Sequence, residues 1–147
     1  MEQAKQDPVG KYAEYLVKTE FLKHGIDVYS AEVDDKGIDL VLRRDSRRYY
    51  DVQVKSARGL GSYIFFPKDK FELRENLYAS IVLFQEGLEP RFYLIPSLEW
   101  RNPTALLRDR EYEGLKSKPE YGVNISKKNL TLLEKYRLED IVDKWGK

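Results

Sequence analysis

Apolar positions recur along this chain with two different periods, and the switches between them mark its elements. From Val9 to His24 the period is helical: Ala13, Val17 and Phe21 form one stripe, with Leu16 beside it. Residues 1–8 are polar and expected to fray, with Asp7-Pro8 as an N-cap followed by a first-turn proline. Gly25 follows as a C′ residue, and Lys23 and His24 occupy the last turn, where cations suit the helix dipole. Ile26–Ala31 reads as a first strand and Asp34-Asp35-Lys36-Gly37 as a turn. Two apolar runs, Gly37–Leu42 and Tyr49–Ser56, flank an arginine-rich connection and predict a β-hairpin. A loop with Gly59 and Gly61 leads to Tyr63–Phe66, a short run that extends the sheet or docks on it. Pro67 to Tyr78, with Phe71, Leu73, Leu77 and Tyr78 set among charges, predicts a helix. Ala79–Gln85 and Arg91–Pro96 predict two more strands, antiparallel across a Glu-Gly turn. Ser97–Tyr121 reads as short helices and loops, Ser126–Lys135 as a capped helix, and Leu138–Trp145 as a second short one. Helix, three strands, helix, two strands and a mostly helical tail make a mixed α/β sheet with a helix packed on at least one face.

Composition narrows the class. At 147 residues the chain is expected to be one domain with a single sizeable core. Charged residues make up 35%, yet 13% are aromatic, so the sequence reads as a well-solvated globular protein and not a disordered one. No apolar run reaches the roughly 18 residues of a membrane helix, and the first ten residues lack the apolar core of a signal peptide; a cytoplasmic protein is expected. Cysteine is absent, which excludes disulfides and thiolate metal sites, and His24 alone cannot supply ordinary zinc chemistry. With a net charge of +1, binding to nucleic acid would need a local basic patch.

Candidate chemistry gathers in the hairpin. Residues two apart on a strand share a face, so Gln53 and Lys55 lie on one side and Val52 and Val54 on the other. If the hairpin pairs in register, Asp39 approaches the Gln-x-Lys face from the neighbouring strand. On the first helix Glu14 stands near Gly10, Val17, Lys18 and Phe21, and leans toward the core. A carboxylate facing inward needs a partner or a metal, and two carboxylates with an amide oxygen suit Mg²⁺ or Mn²⁺. Lys55 could orient or deprotonate water, or neutralise charge developing on a phosphate. Asp51, two residues before Gln53, is a further ligand candidate or a strand-edge residue.

Glu14 on the first helix, Asp39 in Gly37-Ile38-Asp39 at the second strand, and Gln53-x-Lys55 on the third together resemble the active-site signature of the PD-(D/E)xK nuclease superfamily. The resemblance spans about residues 9–96, leaving 97–147 as an extension. It is most similar to the Holliday-junction resolvase and Mrr-type branches. It implies a restriction-endonuclease-like core, in the order helix-strand-strand-strand-helix-strand, with magnesium- or manganese-dependent hydrolysis of DNA phosphodiesters. By it Asp39 is the central metal ligand, Lys55 the catalytic lysine and Glu14 a helix-borne acid at the metal. Gln53 stands where the common pattern has Asp or Glu; branches with Gln there remain nucleases, although a neutral amide holds a cation less firmly. Many relatives act as dimers, which makes a homodimer an expectation by analogy.

Each feature also has a plainer reading. Glu14 and Lys18 fit an i,i+4 surface pair, Asp39 a turn cap, and Gln53 and Lys55 the solvated face of an amphipathic strand. Arg43, Arg44, Arg47 and Arg48 are either a soluble turn around Asp45 or a phosphate clamp beside the site. Arg58, with Lys68 and Lys70, would extend a basic track or simply be surface. Most tyrosines and Trp100 read as core rather than as stacking partners for bases. Two rival functions therefore stand beside the nuclease: a catalytically inactive nucleic-acid-binding or regulatory module on the same fold, and a protein-interaction module using the aromatic-rich tail.

Overall fold

The structure is a computed structural model that describes residues 8–32 and 36–145; the Asp7 cap and the Asp34-Asp35 part of the expected turn lie outside them. It opens with helix α1 (Pro8–Lys23), whose Ala13, Val17 and Phe21 are fully buried. The helix ends as its sequence predicts. Gly25 takes φ +75°, its amide donates to Leu22 O, and the Ile26 amide donates to Phe21 O. That paired closure is the one a left-handed C′ glycine permits.

Five strands form the main sheet: β1 (Asp27–Ser30), β2 (Leu40–Arg43), β3 (Tyr49–Arg58), β5 (Leu77–Phe84) and β6 (Arg91–Pro96), in spatial order 1-2-3-5-6. All neighbours are antiparallel except β3 and β5. Strand β4 (Ser62–Pro67) leaves this sheet and joins β7 (Leu107–Arg110) and β8 (Glu120–Ile125) in a second, antiparallel one, in the order 4-8-7. Short helices α2 (Leu130–Leu133) and α3 (Leu138–Trp145) follow.

The main sheet is buried on both faces, which explains the near-continuous apolar run Leu77–Leu83 at its centre. On one face α1 and α3 cover Leu40, Leu42, Val52, Val54 and Val82. On the other, the second sheet and the aromatics Phe66, Phe71 and Trp100 cover Ala79, Ile81 and Ile95.

Three sequence-based expectations are corrected here. Pro67–Tyr78 is not a helix: only Lys68–Lys70 makes a 3-10 turn, and β5 begins at Leu77. Phe71 sits instead in the aromatic core, 4.6 Å from the Phe66 ring and 5.4 Å from Trp100. The parallel crossover from β3 to β5 thus runs through β4. Ser97–Tyr121 is not only helix and loop, because it contributes β7 and the start of β8. Ser126–Lys135 is helical only at Leu130–Leu133, with a 3-10 turn after it.

One residue under α1 has no evident partner. Ser80 lies opposite Val54 on β5, fully buried, and its hydroxyl makes no hydrogen bond. A buried, unbonded hydroxyl costs about 1–3 kcal/mol. Ser80→Ala is expected to leave stability unchanged or raise it by about 1 kcal/mol, read as the urea midpoint; a clear loss would reveal a hidden partner.

Candidate active site

The candidate site forms where β2 stops short of β3. Pairing runs from Arg43 opposite Tyr49 to Leu40 opposite Val52, so β2 matches only the first half of β3. Gly37 accounts for the divergence. It takes φ +78°, and a Cβ there would stand 2.8 Å from the Lys70 carbonyl oxygen and 3.1 Å from Lys70 Cβ. Glycine lets the chain turn off the ladder and press against the 3-10 turn. The Val54 amide, which a continuing β2 would have bonded, is satisfied by a side chain instead: it donates to Asp39 Oδ2 at 2.7 Å. The Asp39 amide donates in turn to Val52 O at 2.9 Å. These two bonds fix the carboxylate against β3.

Strand alternation then decides which groups share a face. Gln53 and Lys55 lie opposite Ala79 and Ile81, on the face away from α1, while Val52 and Val54 pack under the helix. Asp39, one residue before Leu40 and outside the strand, is set at the edge of β3 by its bonds to the Val54 amide and Val52 O. Asp39 and Gln53 are 9% and 8% exposed, so both polar groups have left water. Among the described residues the Gln53 amide oxygen has no hydrogen-bond partner; an ideal Cβ on Gly37 would stand 3.5 Å from it. Lys55 is half-buried, its ammonium 5.9 Å from the Phe66 ring centroid. Asp39 thus stands at the edge of β3, and Gln53 and Lys55 share one face of that strand.

Glu14 is half-buried on α1, and the apolar stripe of that helix packs on the face of the sheet opposite Gln53 and Lys55. Lys18, the alternative partner considered for Glu14, lies over the Tyr15 ring at 5.6 Å. Asp51 is occupied elsewhere: its carboxylate accepts from Arg74 Nη2 at 2.7 Å, which removes it from the ligand candidates.

The arginines do not form one patch. Arg43 lies over the Tyr49 ring, Arg44 donates to the Tyr50 hydroxyl, and Arg48 pairs with Asp45 at 2.6 Å. The Asp45 carboxylate also accepts the Arg47 and Arg48 amides, and these bonds hold it below the usual carboxylate range. Arg43 stands four residues along β2 from Asp39, about 13 Å in extended chain, so the turn is not beside the acid. Arg58 ends β3 at its other extreme, about 30 Å from Arg48 along the strand.

Among the described residues, no group of three or more His, Cys, Asp and Glu side chains is arranged to hold a metal ion. A polar cleft of about 410 Å³ lies elsewhere, between the end of α1 and the start of α3; its lining includes Glu20, His24, Arg91 and Arg137. Its arginines are tied to Glu134 and Glu139.

No protein-family model matches this chain, and no curated protein matches it in sequence. Among solved structures it is similar to the Holliday junction resolvase Hjc of Archaeoglobus fulgidus, an archaeal hyperthermophile. The two align over 92% of this chain and 96% of that one, with a TM-score of 0.56 and 13% identity. The chain thus has a restriction-endonuclease-like fold, a mixed sheet flanked by helices with a helical C-terminus.

Proposed function

We propose that this protein is a metal-dependent endonuclease that hydrolyses DNA phosphodiester bonds at Asp39, Gln53 and Lys55, with Glu14 as a fourth member. The observation that supports this most is the Gln53 amide oxygen, buried without a hydrogen bond among the described residues, in a nuclease-type fold. A buried oxygen acceptor left unbonded is costly, and a hard cation is one group that would satisfy it. Carboxylate and amide oxygens fit Mg²⁺ or Mn²⁺, which prefer oxygen donors and keep several waters. Asp39, Gln53 and Glu14 would hold such an ion, and its chemistry there is to polarise a phosphate oxygen and lower the pKa of a coordinated water.

The chain's own residues supply the rest. Asp39 is held in place by the Val54 amide, so its charge is oriented before substrate arrives. Lys55, on the Gln53 face of β3, would neutralise charge building on the phosphate and orient the attacking water. The Arg43–Arg48 turn, a strand's length away, would contact a different phosphate of a bound duplex. Two cuts on opposing strands call for two sites, hence a homodimer.

The test is cleavage of labelled single-stranded, duplex and four-way-junction DNA with Mg²⁺ or Mn²⁺. Cleavage that chelation abolishes and Lys55→Ala reduces at least a hundredfold is expected. If no DNA of any shape is cut with either ion, the proposal fails, and metal-independent binding would leave the non-catalytic module in its place.

A further inference from the structure

The second sheet turns one face inward, where Ile64, Phe66, Leu107, Tyr121, Val123 and Ile125 join the core. Its outer face carries Tyr63, Phe65, Arg108, Arg110, Glu120, Gly122 and Asn124, by alternation. Among the described residues much of that face is open: Phe65 is 48% exposed, and Arg108, Arg110 and Asn124 are exposed too, with Tyr112 reaching its edge to accept from Arg110.

Gly122 is the key to its shape. Phe65, Gly122 and Arg108 form one row across the three strands. With no side chain in the middle, the Tyr63 ring lies across the glycine; a Cβ there would stand 1.9 Å from the Tyr63 hydroxyl oxygen and 2.3 Å from Cζ. The phenol donates to Glu120 Oε2 at 2.5 Å, which locks the ring flat and ties up the one acid on the face. Burial, with the hydrogen bond and charge of Glu120 added to it, holds the phenol well above its ordinary pKa. The Arg110 guanidinium lies over the Tyr63 ring, 4.5 Å from its centroid, and the Phe65 ring lies within 21° of the Tyr63 plane at 6.5 Å. The result is a tiled floor: one open aromatic ring, one guanidinium plane resting on a second ring, and Arg108 two strands from Phe65, about 10 Å across.

From this geometry we infer that the outer face of the second sheet binds unpaired nucleotides of DNA or RNA. Flat rings and guanidinium planes stack on bases without regard to sequence, and arginines beside them meet the phosphates. The charge of the face is right for that occupant: two arginines are exposed, while the single carboxylate is buried and hydrogen-bonded. A second copy of this chain is the poorer fit, because Phe65 is the only large exposed apolar side chain on the face, and the centre of a dimer interface is apolar. Binding here needs neither the metal nor Asp39, so it stands or falls apart from the hydrolase reading.

The experiment is fluorescence anisotropy of a labelled oligothymidylate of about 15 nucleotides, in chelator, across a range of salt. Phe65→Ala is expected to weaken binding roughly tenfold while Phe65→Tyr restores it, and Arg108→Ala to lower the salt slope by about one. Tyr15→Ala, at an exposed tyrosine on α1, should change nothing. Thermal melts confirm that these surface variants are folded. The inference is overturned if the wild-type protein does not bind the oligonucleotide at low salt. Equal binding by wild type and Phe65→Ala also overturns it, as does a wild-type dimer that Phe65→Ala converts to a monomer.

Discussion

Asp39→Asn is expected to reduce metal-dependent DNA cleavage by about a thousandfold or more while leaving the fold in place. The size follows from what is lost: a charged ligand whose ion supplies several kcal/mol of transition-state stabilisation. The intact fold follows from what is kept. An Asn side chain has nearly the same shape, and its carbonyl oxygen can still accept from the Val54 amide that Asp39 now holds at 2.7 Å. Only the charge assistance of that bond disappears, a difference of about 1 kcal/mol. The outcome is read as single-turnover cleavage with Mn²⁺ beside a urea denaturation curve. Wild-type cleavage by this variant would remove Asp39 from the chemistry and leave it as a strand-end cap, which its hydrogen bond alone would justify.

Gly37→Ala is expected to cost about 3 kcal/mol, close to a 10 °C fall in melting temperature, and to abolish cleavage as well. Two effects add. The residue sits at φ +78°, where a side chain costs about 1–2 kcal/mol, and its Cβ would overlap the Lys70 backbone oxygen at 2.8 Å. Backbone cannot swing aside, so the loop that carries Asp39 two residues later must move. Gly25→Ala is the control: it has nearly the same angle, φ +75°, but open space around it. It should show the conformational cost alone, about 1 kcal/mol, with cleavage untouched. Equal losses for both variants would mean that the contact with Lys70 contributes nothing.

The parts of this architecture that local pattern controls were legible in the sequence. The helix over Val9–His24 matches α1 within a residue at each end, because its stripe and its glycine stop are encoded locally. The hairpin emerges with Leu40 opposite Val52, because both must go inward. What failed depended on distant partners. Phe71, Leu73 and Leu77 mimic a helical spacing, but Phe71 is claimed by Phe66 and Trp100 from elsewhere in the chain. The strand Leu107–Arg110 is polar on three of four positions and exists because β8 pairs with it. At the site, the shared face of Gln53 and Lys55 follows from alternation, whereas Asp51 was drawn away by Arg74, a partner 23 residues on that no period could announce. The unbonded Gln53 oxygen has no local signal at all.

The route of β4 has a consequence for how the chain is made. Emerging from a ribosome, Tyr63–Phe66 can find no partner until Gly122–Asn124 has been synthesised, some 60 residues later. At about 5–20 residues per second, that leaves an unzipped, aromatic-rich segment open for several seconds at least. Parallel pairing of β3 with β5 spans the same segment, and such long-range contacts fold slowly. Newly made chains should therefore be most prone to clumping, and most in need of a chaperone, in the interval before Tyr121–Asn124 appears.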